Sequence, residues 1–229
     1  MSLSDVWPLF DLRVKTPSLE LRYPSDDDIA VIAERAASDG VHDPSFMPFT
    51  VEWTDVPPPL QQRNSAQHMW SLRANWRPDS WACNLVCVID GRVAGCQTAD
   101  ADDFSVLRSA TTGSYLFRPE QGKGAGTEMR AAMLHLLFAG LGAELATSAA
   151  FEDNHASIGV SKHLGYAPDG RRRVLSRGQA REQIAFRLTR DAWQNRRRDD
   201  ITIEGLQPCL ELFGVTPSAP ASTDAGVDG

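Results

Sequence analysis

The chain has 229 residues, 42% of them hydrophobic and 23% charged, which is ordinary globular usage with enough apolar material for one substantial core. Its formal net charge of −7 excludes a nucleic-acid binder whose affinity rests on a basic face. No apolar run approaches the ~20 residues that span a bilayer, and the start of the chain, with Asp5, Trp7 and Asp11, lacks the basic-then-apolar order of a signal peptide.

Cys83, Cys87, Cys96 and Cys209 form no CxxC pair and no zinc spacing. The expectation is a reduced cytoplasmic chain without a metal site, with no nucleic-acid and no membrane partner. Ser18 to Tyr23 alternates Leu19, Leu21 and Tyr23 with Glu20 and Arg22 and reads as a strand. Ser25, followed by Asp26, Asp27 and Asp28, is a helix cap with acids in the first turn, and Asp39-Gly40 ends that helix. His42 to Pro57 is a long irregular segment holding Phe46, Met47, Phe49 and Trp53. A loop this apolar covers a core or lines a cleft. His42 and Asp43 within it read as a solvated pair.

Pro58 and Pro59 open a helix that runs to about Trp76, with His68 packed among apolar neighbours. Asn84–Ile89 and Arg92–Ala99 are strands joined by the hairpin signal Asp90-Gly91. Asp100 to Ala110 is a polar connection, and Thr111–Phe117 then pairs antiparallel with the strand before it. Arg118-Pro119-Glu120 stops that strand, because proline offers no amide hydrogen to a ladder. Next come Gln121-Gly122-Lys123-Gly124-Ala125-Gly126-Thr127 and a helix with Met129, Ala132, Met133, Leu136, Leu137 and Gly140 on one face.

Gly142 caps that helix, and Glu144–Ala150 returns as a strand parallel to Thr111–Phe117. Asn154 or Ser157 opens a short helix closing at Gly165. Tyr166-Ala167, Arg171–Leu175 and Ala180–Leu188 read as closing strands, Thr189 caps a helix through Trp193, and Ile201–Ile203 adds a short strand. The runs Arg171–Arg173 and Arg196–Arg198 read as solvated surface. Residues 1–217 are expected to form a single domain and residues 218–229 a disordered tail.

The glycine stretch joins a strand to a helix, so its free amides and the helix dipole favour a phosphate. A Walker loop is excluded, because Lys123 is followed by Gly124 rather than Ser or Thr. A dinucleotide loop is disfavoured, because no G-x-G-x-x-G frame exists and an antiparallel meander precedes the stretch.

Coenzyme A fits the remaining order: strand, Gln-x-x-Gly-x-Gly, long helix, strand, Asn-x-x-Ser, short helix, Leu164-Gly165-Tyr166. Gln121 to Glu128 and Asn154-His155-Ala156-Ser157 together resemble the GNAT superfamily of acyl-CoA transferases, and within it the RimJ/RimL-type branch. The resemblance covers roughly Ser18 to Trp193 and implies an α/β fold of the α+β type. Its mixed, strongly twisted sheet of about seven strands is antiparallel in its first half and carries helices on both faces. A V-shaped opening divides the parallel pair Thr111–Phe117 and Glu144–Ala150.

The resemblance also implies how acetyl-CoA or succinyl-CoA would be held as co-substrate. The pantetheine arm would lie along Tyr115, Leu116 and Phe117, and the pyrophosphate on Gln121, Gly122, Lys123, Gly124, Ala125, Gly126 and Thr127. Asn154 and Ser157 would meet the arm or its sulfur. The amine acceptor, a protein N-terminus, a lysine or a small molecule, would attack the thioester directly, with a main-chain amide near Phe117 stabilising the oxyanion.

Many relatives place a tyrosine acid where this chain has Ser161, so Ser157 is the candidate to hydrogen-bond or protonate the thiolate. Helix capping is its structural alternative. Thr111–Phe117 holds no glutamate, so the base stays unnamed among Glu152, Asp153, Asp100 and Asp102. Gln97 is the candidate donor to a succinyl carboxylate. A homo-oligomer is compatible with the sequence, and so is a GNAT-fold acyl-CoA sensor without turnover.

Overall fold

The computed structural model describes residues 1–216, so the expected tail, 218–229, lies outside the described residues. In chain order the elements are α1 (Leu3–Val6), β1 (Arg13–Lys15), β2 (Glu20–Arg22), α2 (Asp26–Ser38), α3 (Leu60–Ala74), β3 (Ser80–Ile89), β4 (Arg92–Asp102), α4 (Phe104–Leu107) and β5 (Ser109–Leu116). There follow α5 (Ala125–His135), β6 (Leu145–Phe151), α6 (His155–His163), β7 (Ala167–Ser176), β8 (Gln179–Thr189), α7 (Arg190–Gln194) and β9 (Thr202–Glu204). The strands form one mixed sheet in the order β7-β8-β6-β5-β4-β3-β2-β1-β9.

The sheet therefore has nine strands among the described residues rather than about seven. Three-residue β1, with only Val14 inward, is too short to show an alternation. Asp100 to Ala110 is no plain connection either: β4 continues to Asp102, and the one-turn α4 precedes β5.

Local chemistry explains the main elements. The Ser25 hydroxyl accepts the Asp28 amide while the Asp28 carboxylate accepts the Ser25 amide, a reciprocal cap for α2. Arg22 adds a bidentate pair to Asp28 at 2.6 Å, which fixes the helix against β2. Burial alone would raise the Asp28 carboxyl, but the Arg22 and Ser25 hydrogen bonds outweigh it and hold the group below its ordinary value.

Two apolar layers cover the two faces of the sheet. One gathers Leu85, Ala99, Leu116, Met129, Met133 and Phe138, under α5. The other gathers Ile29, Ile32, Met69, Val86, Cys96 and Phe117, under α2 and α3. Leu85 and Val86, neighbours on β3, thus serve opposite layers, as strand alternation requires. Beyond β9, a 3₁₀ segment at Gln207–Phe213 seals the sheet's end, where Trp81 packs edge-on against Phe213 with ring centres 5.0 Å apart.

Candidate active site

The β5–β6 pair is the only parallel contact among the described residues of the sheet, and it is short. Partners are Ser109–Leu145, Ala110–Ala146 and Thr111–Thr147, and no ladder bond follows. Each strand stays fully tied on its other side: β5 pairs with β4 as far as Leu116, and β6 pairs with β8 as far as Phe151. From Thr112 onward, β5 and β6 therefore diverge: the Thr112 and Leu116 carbonyls are taken by the Ser148 hydroxyl and the Gln121 amide, and the main chain between them has no ladder partner on β6. This is the V-shaped opening expected between Thr111–Phe117 and Glu144–Ala150. Such an edge can add an extended ligand through main-chain hydrogen bonds.

The glycine loop sits at the wide end of the opening. Gly122 and Gly124 have φ of +75° and +87°, and a Cβ built on either meets nothing within 4 Å. Left-handed backbone facing empty space is what a cradle for an approaching phosphate needs. Gly126, by contrast, lies between Leu116 and Val160, which brings α6 beside the loop. The Gln121 side chain points inward, donating at 2.8 Å to both the Val41 and Leu116 carbonyls. It braces the loop, so only its main chain is left for a ligand. Lys123 donates to the Pro119 carbonyl at 2.6 Å and is otherwise exposed.

Asn154 caps α6, its side-chain oxygen accepting the Ser157 amide at 3.1 Å. That occupies Asn154 Oδ1 and leaves its amide nitrogen and the Ser157 hydroxyl for other partners. The Tyr115 side chain is turned away from the opening. Its ring packs against Trp53 at 5.4 Å and Phe49 at 6.3 Å, and burial beside Cys96 keeps its hydroxyl protonated. Tyr166 is buried, its hydroxyl 3.1 Å from Thr112 Oγ1, as expected of a packed residue.

Gln97 has no exposed surface, and its Nε2 already donates to the Gly113 carbonyl at 2.8 Å. A carbonyl partner demands a donor, so what stays unpartnered is Oε1, an acceptor. The donor anticipated for an acyl carboxylate is thereby committed elsewhere.

Of the two roles foreseen for the segment from His42 to Pro57, the structure shows the covering of a core. Met47, Phe49 and Trp53 join the α2–α3 layer, while the loop's outer side is tied to the β7–β8 hairpin. Arg177 pairs with Asp55 at 2.6 Å and its amide meets Glu52, and Arg181 donates to the Met47 carbonyl at 2.8 Å. The loop thus walls the sheet face opposite α5. His42 is engaged with Thr54 and the Asp43 carbonyl, both at 2.7 Å.

The candidate bases differ in environment. Glu152 is paired with Arg171 at 3.2 Å and Asp153 with Arg181 at 2.6 Å. Asp102 accepts the Ser80 hydroxyl at 2.6 Å. Asp100 has no ion-pair partner among the described residues. It lines an open cavity of ≈ 450 Å³ with Ser71, Asn75, Asp102 and Thr111. Asp100 is exposed to solvent, yet the surrounding cavity walls desolvate its carboxyl and, with the like charge of Asp102, push it up to about 6.

Arg130 belongs to neither motif, and only the structure singles it out. It is 3% exposed, on α5, and its guanidinium donates to Ser114 on β5 at 2.9 Å and Ser148 on β6 at 3.1 Å. A signal for it does exist in the sequence: Met129 to Phe138 is apolar nearly all round, so a charge inside that run must be buried with it.

A family model described as an acetyltransferase (GNAT) domain matches residues 18–167. The chain belongs to the GNAT acetyltransferase family. Solved structures agree in fold. RimJ from Mycobacterium smegmatis, in complex with CoA-disulfide, is 21% identical with a TM-score of 0.67, covering 80% of this chain and 88% of that one. RimL, a ribosomal L7/L12 alpha-N-protein acetyltransferase in complex with coenzyme A, is 16% identical with a TM-score of 0.65, covering 77% and 97%. A ribosomal-protein-S5-alanine acetyltransferase from Vibrio fischeri is 18% identical with a TM-score of 0.61, covering 79% and 98%. The GNAT acetyltransferase assignment therefore stands, with RimJ and RimL sharing the fold. Among the described residues no helix is long and apolar enough to cross a membrane, and no His, Cys, Asp and Glu side chains gather as a metal site.

Proposed function

We propose that this GNAT protein transfers an acetyl group from acetyl-CoA to the α-amine of a protein N-terminus in the cytoplasm. The observation that carries the reading is the β5–β6 divergence beside an open glycine cradle. Along β5 the stretch released from β6, from Leu116 back to Thr112, spans roughly 13 Å at ~3.3 Å per residue, a length an extended pantetheine arm covers. Pyrophosphate on the amides of Gly122 to Thr127 then puts the thioester at the closed end. The Ser157 hydroxyl, at the start of α6 and not used in the Asn154 cap, is a further hydrogen-bond donor for the arm.

The acceptor enters from the opposite face, between the His42–Pro57 loop and Asp100. Asp100 stands opposite Thr111, the last residue of β5 paired with β6, so it is one strand spacing, roughly 5 Å, from the closed end. That distance suits proton removal through one water. A carboxylate titrating near 6 is ionised at neutral pH yet basic enough to take the amine's proton. An N-terminal amine, with an unperturbed pKa near ~8, supplies its neutral form far more readily than lysine near ~10.4. The commitment of the Gln97 donor favours acetyl over succinyl.

The test is thiol release from acetyl-CoA and succinyl-CoA with peptides bearing a free or blocked N-terminus, with and without lysine. Release that needs the free N-terminus and acetyl-CoA supports the proposal. Saturable CoA binding without amine-dependent thiol would overturn it in favour of a sensor, and lysine-dependent release would overturn the acceptor.

A further inference from the structure

We propose that Arg130 is a positioning residue for the leaving group: it polarises the Ser114 hydroxyl, which donates to the thiolate formed on CoA at the closed end of the opening. The inference rests on the acetyl-CoA reading above.

A guanidinium carries its charge at any ordinary pH, and burying one without a counter-ion is expensive unless an anion arrives. Arg130 is 3% exposed, its Nε has no partner, and among the described residues no carboxylate lies within ion-pair distance. Its bonds go only to Ser114 and Ser148, one on each diverging strand. The two serines then differ. Ser148 accepts from Arg130 and passes its own proton to the Thr112 carbonyl at 3.2 Å. Ser114 accepts from Arg130 at 2.9 Å, is only partly buried, and its hydroxyl hydrogen has no acceptor among the described residues. A hydroxyl that accepts from a cation becomes a stronger donor.

The reaction makes an anion at that place. The amine nitrogen bonds to the acyl carbon, the C–S bond breaks with its electron pair passing to sulfur, and the amine's proton leaves to water or Asp100. Sulfur thus gains a full negative charge within the opening. The charged and titratable groups around Arg130 are few. Tyr166, packed over β5, is kept a neutral phenol by burial, which outweighs the opposing pull of the Arg130 charge and of hydrogen bonding to Thr112 and Arg130. On its own helix Glu128 is turned away to Ser18 and Arg198, and His135 is buried against Trp193.

The test is an ultraviolet thiolate titration of CoA bound to the wild type, Arg130→Gln, Arg130→Lys and Ser114→Ala. The background is quiet, because burial pushes the Cys87, Cys96 and Cys209 thiols up to about 12 and raises Cys83 and all three tyrosines. In the wild type the bound thiol should titrate at least about one unit lower than in Arg130→Gln, which is about tenfold more thiolate at a given pH. Arg130→Lys should keep most of that shift and Ser114→Ala should lose it. Equal titration in wild type and Arg130→Gln overturns the inference and leaves Arg130 a strut between the strands. If Arg130→Gln does not fold, a wild-type thiol titrating no lower than free CoA overturns the inference equally. Absence of saturable CoA binding by the wild type would instead sink the acetyl-CoA reading on which it rests.

Discussion

The two edges of β5 make the instructive contrast. Toward β4 the strand is laddered from Thr111 to Leu116, so closely that glycine is required at Gly95. A Cβ there would run into the Tyr115 carbonyl and stand 2.8 Å from Leu116 Cα. Toward β6 the same strand is paired over three residues and then released. One edge holds the strand in place, and the other keeps its main chain free for a ligand. The glycines repeat the contrast, since Gly95 is packed against its own chain while Gly122 and Gly124 face open space.

The harshest way to break this comparison is Gly95→Val. Several atoms would have to enter the space of the Tyr115–Leu116 backbone, which cannot move without unpairing β4 from β5. We expect loss of the cooperative thermal transition, checked by circular dichroism and solubility; a wild-type melting curve would refute the tight-edge account. Gly124→Val should separate binding from folding. Its φ of +87° adds strain of order 1–3 kcal/mol, but the side chain meets only open space. The fold should survive while affinity for CoA falls by about tenfold or more, roughly 1.4 kcal/mol, by calorimetry. Unchanged affinity would displace the phosphate from this loop.

A smaller effect is expected beside the closed end. With its carboxyl at about 6, Asp100 must lose its proton to act, so kcat/KM for a peptide amine should rise with pH through 6. Asp100→Asn should lower the rate and abolish that acid limb. The sign for stability is opposite. A carboxyl whose folded pKa lies above its unfolded value binds more protons when folded, so its contribution declines as pH rises from about 4 to 6. Asp100→Asn should therefore melt no lower than the wild type at neutral pH. A slower variant with an intact acid limb would exclude Asp100 as the base.

Much of this was legible in the chain itself, for identifiable reasons. The Asp90-Gly91 turn, the Ser25 cap and the glycine loop are local signals, and each element they announce is present. The opening was legible only through two motifs read together, because where β6 leaves β5 depends on β8 holding the other side. What stayed hidden depends on contacts between distant residues. Gln121 belongs to the motif, yet its side chain braces Val41, eighty positions away. The apolar run around Arg130 signals that the charge is buried, but only the fold sets it between two serines of separate strands.

The smallest expected effect concerns the wall of the acceptor side. Arg177, at the tip of the β7–β8 hairpin, holds Asp55 through two hydrogen bonds of 2.6 and 2.8 Å and also donates to the Pro44 carbonyl. Both side chains are partly exposed, so the pair is screened by salt and adds little to global stability. Its work is local: it ties an irregular loop to a hairpin that follows β6, across the opening. Arg177→Ala should leave the melting temperature nearly unchanged while amide protons of His42 to Pro57 exchange faster, because local opening of that loop loses a restraint. If the acceptor passes this loop as proposed, the KM for peptide should change more than the KM for acetyl-CoA. Raising the salt concentration should move the wild type toward the variant. Equal changes in both KM values would mean that the two sides of the opening are not as separate as the two edges of β5 make them.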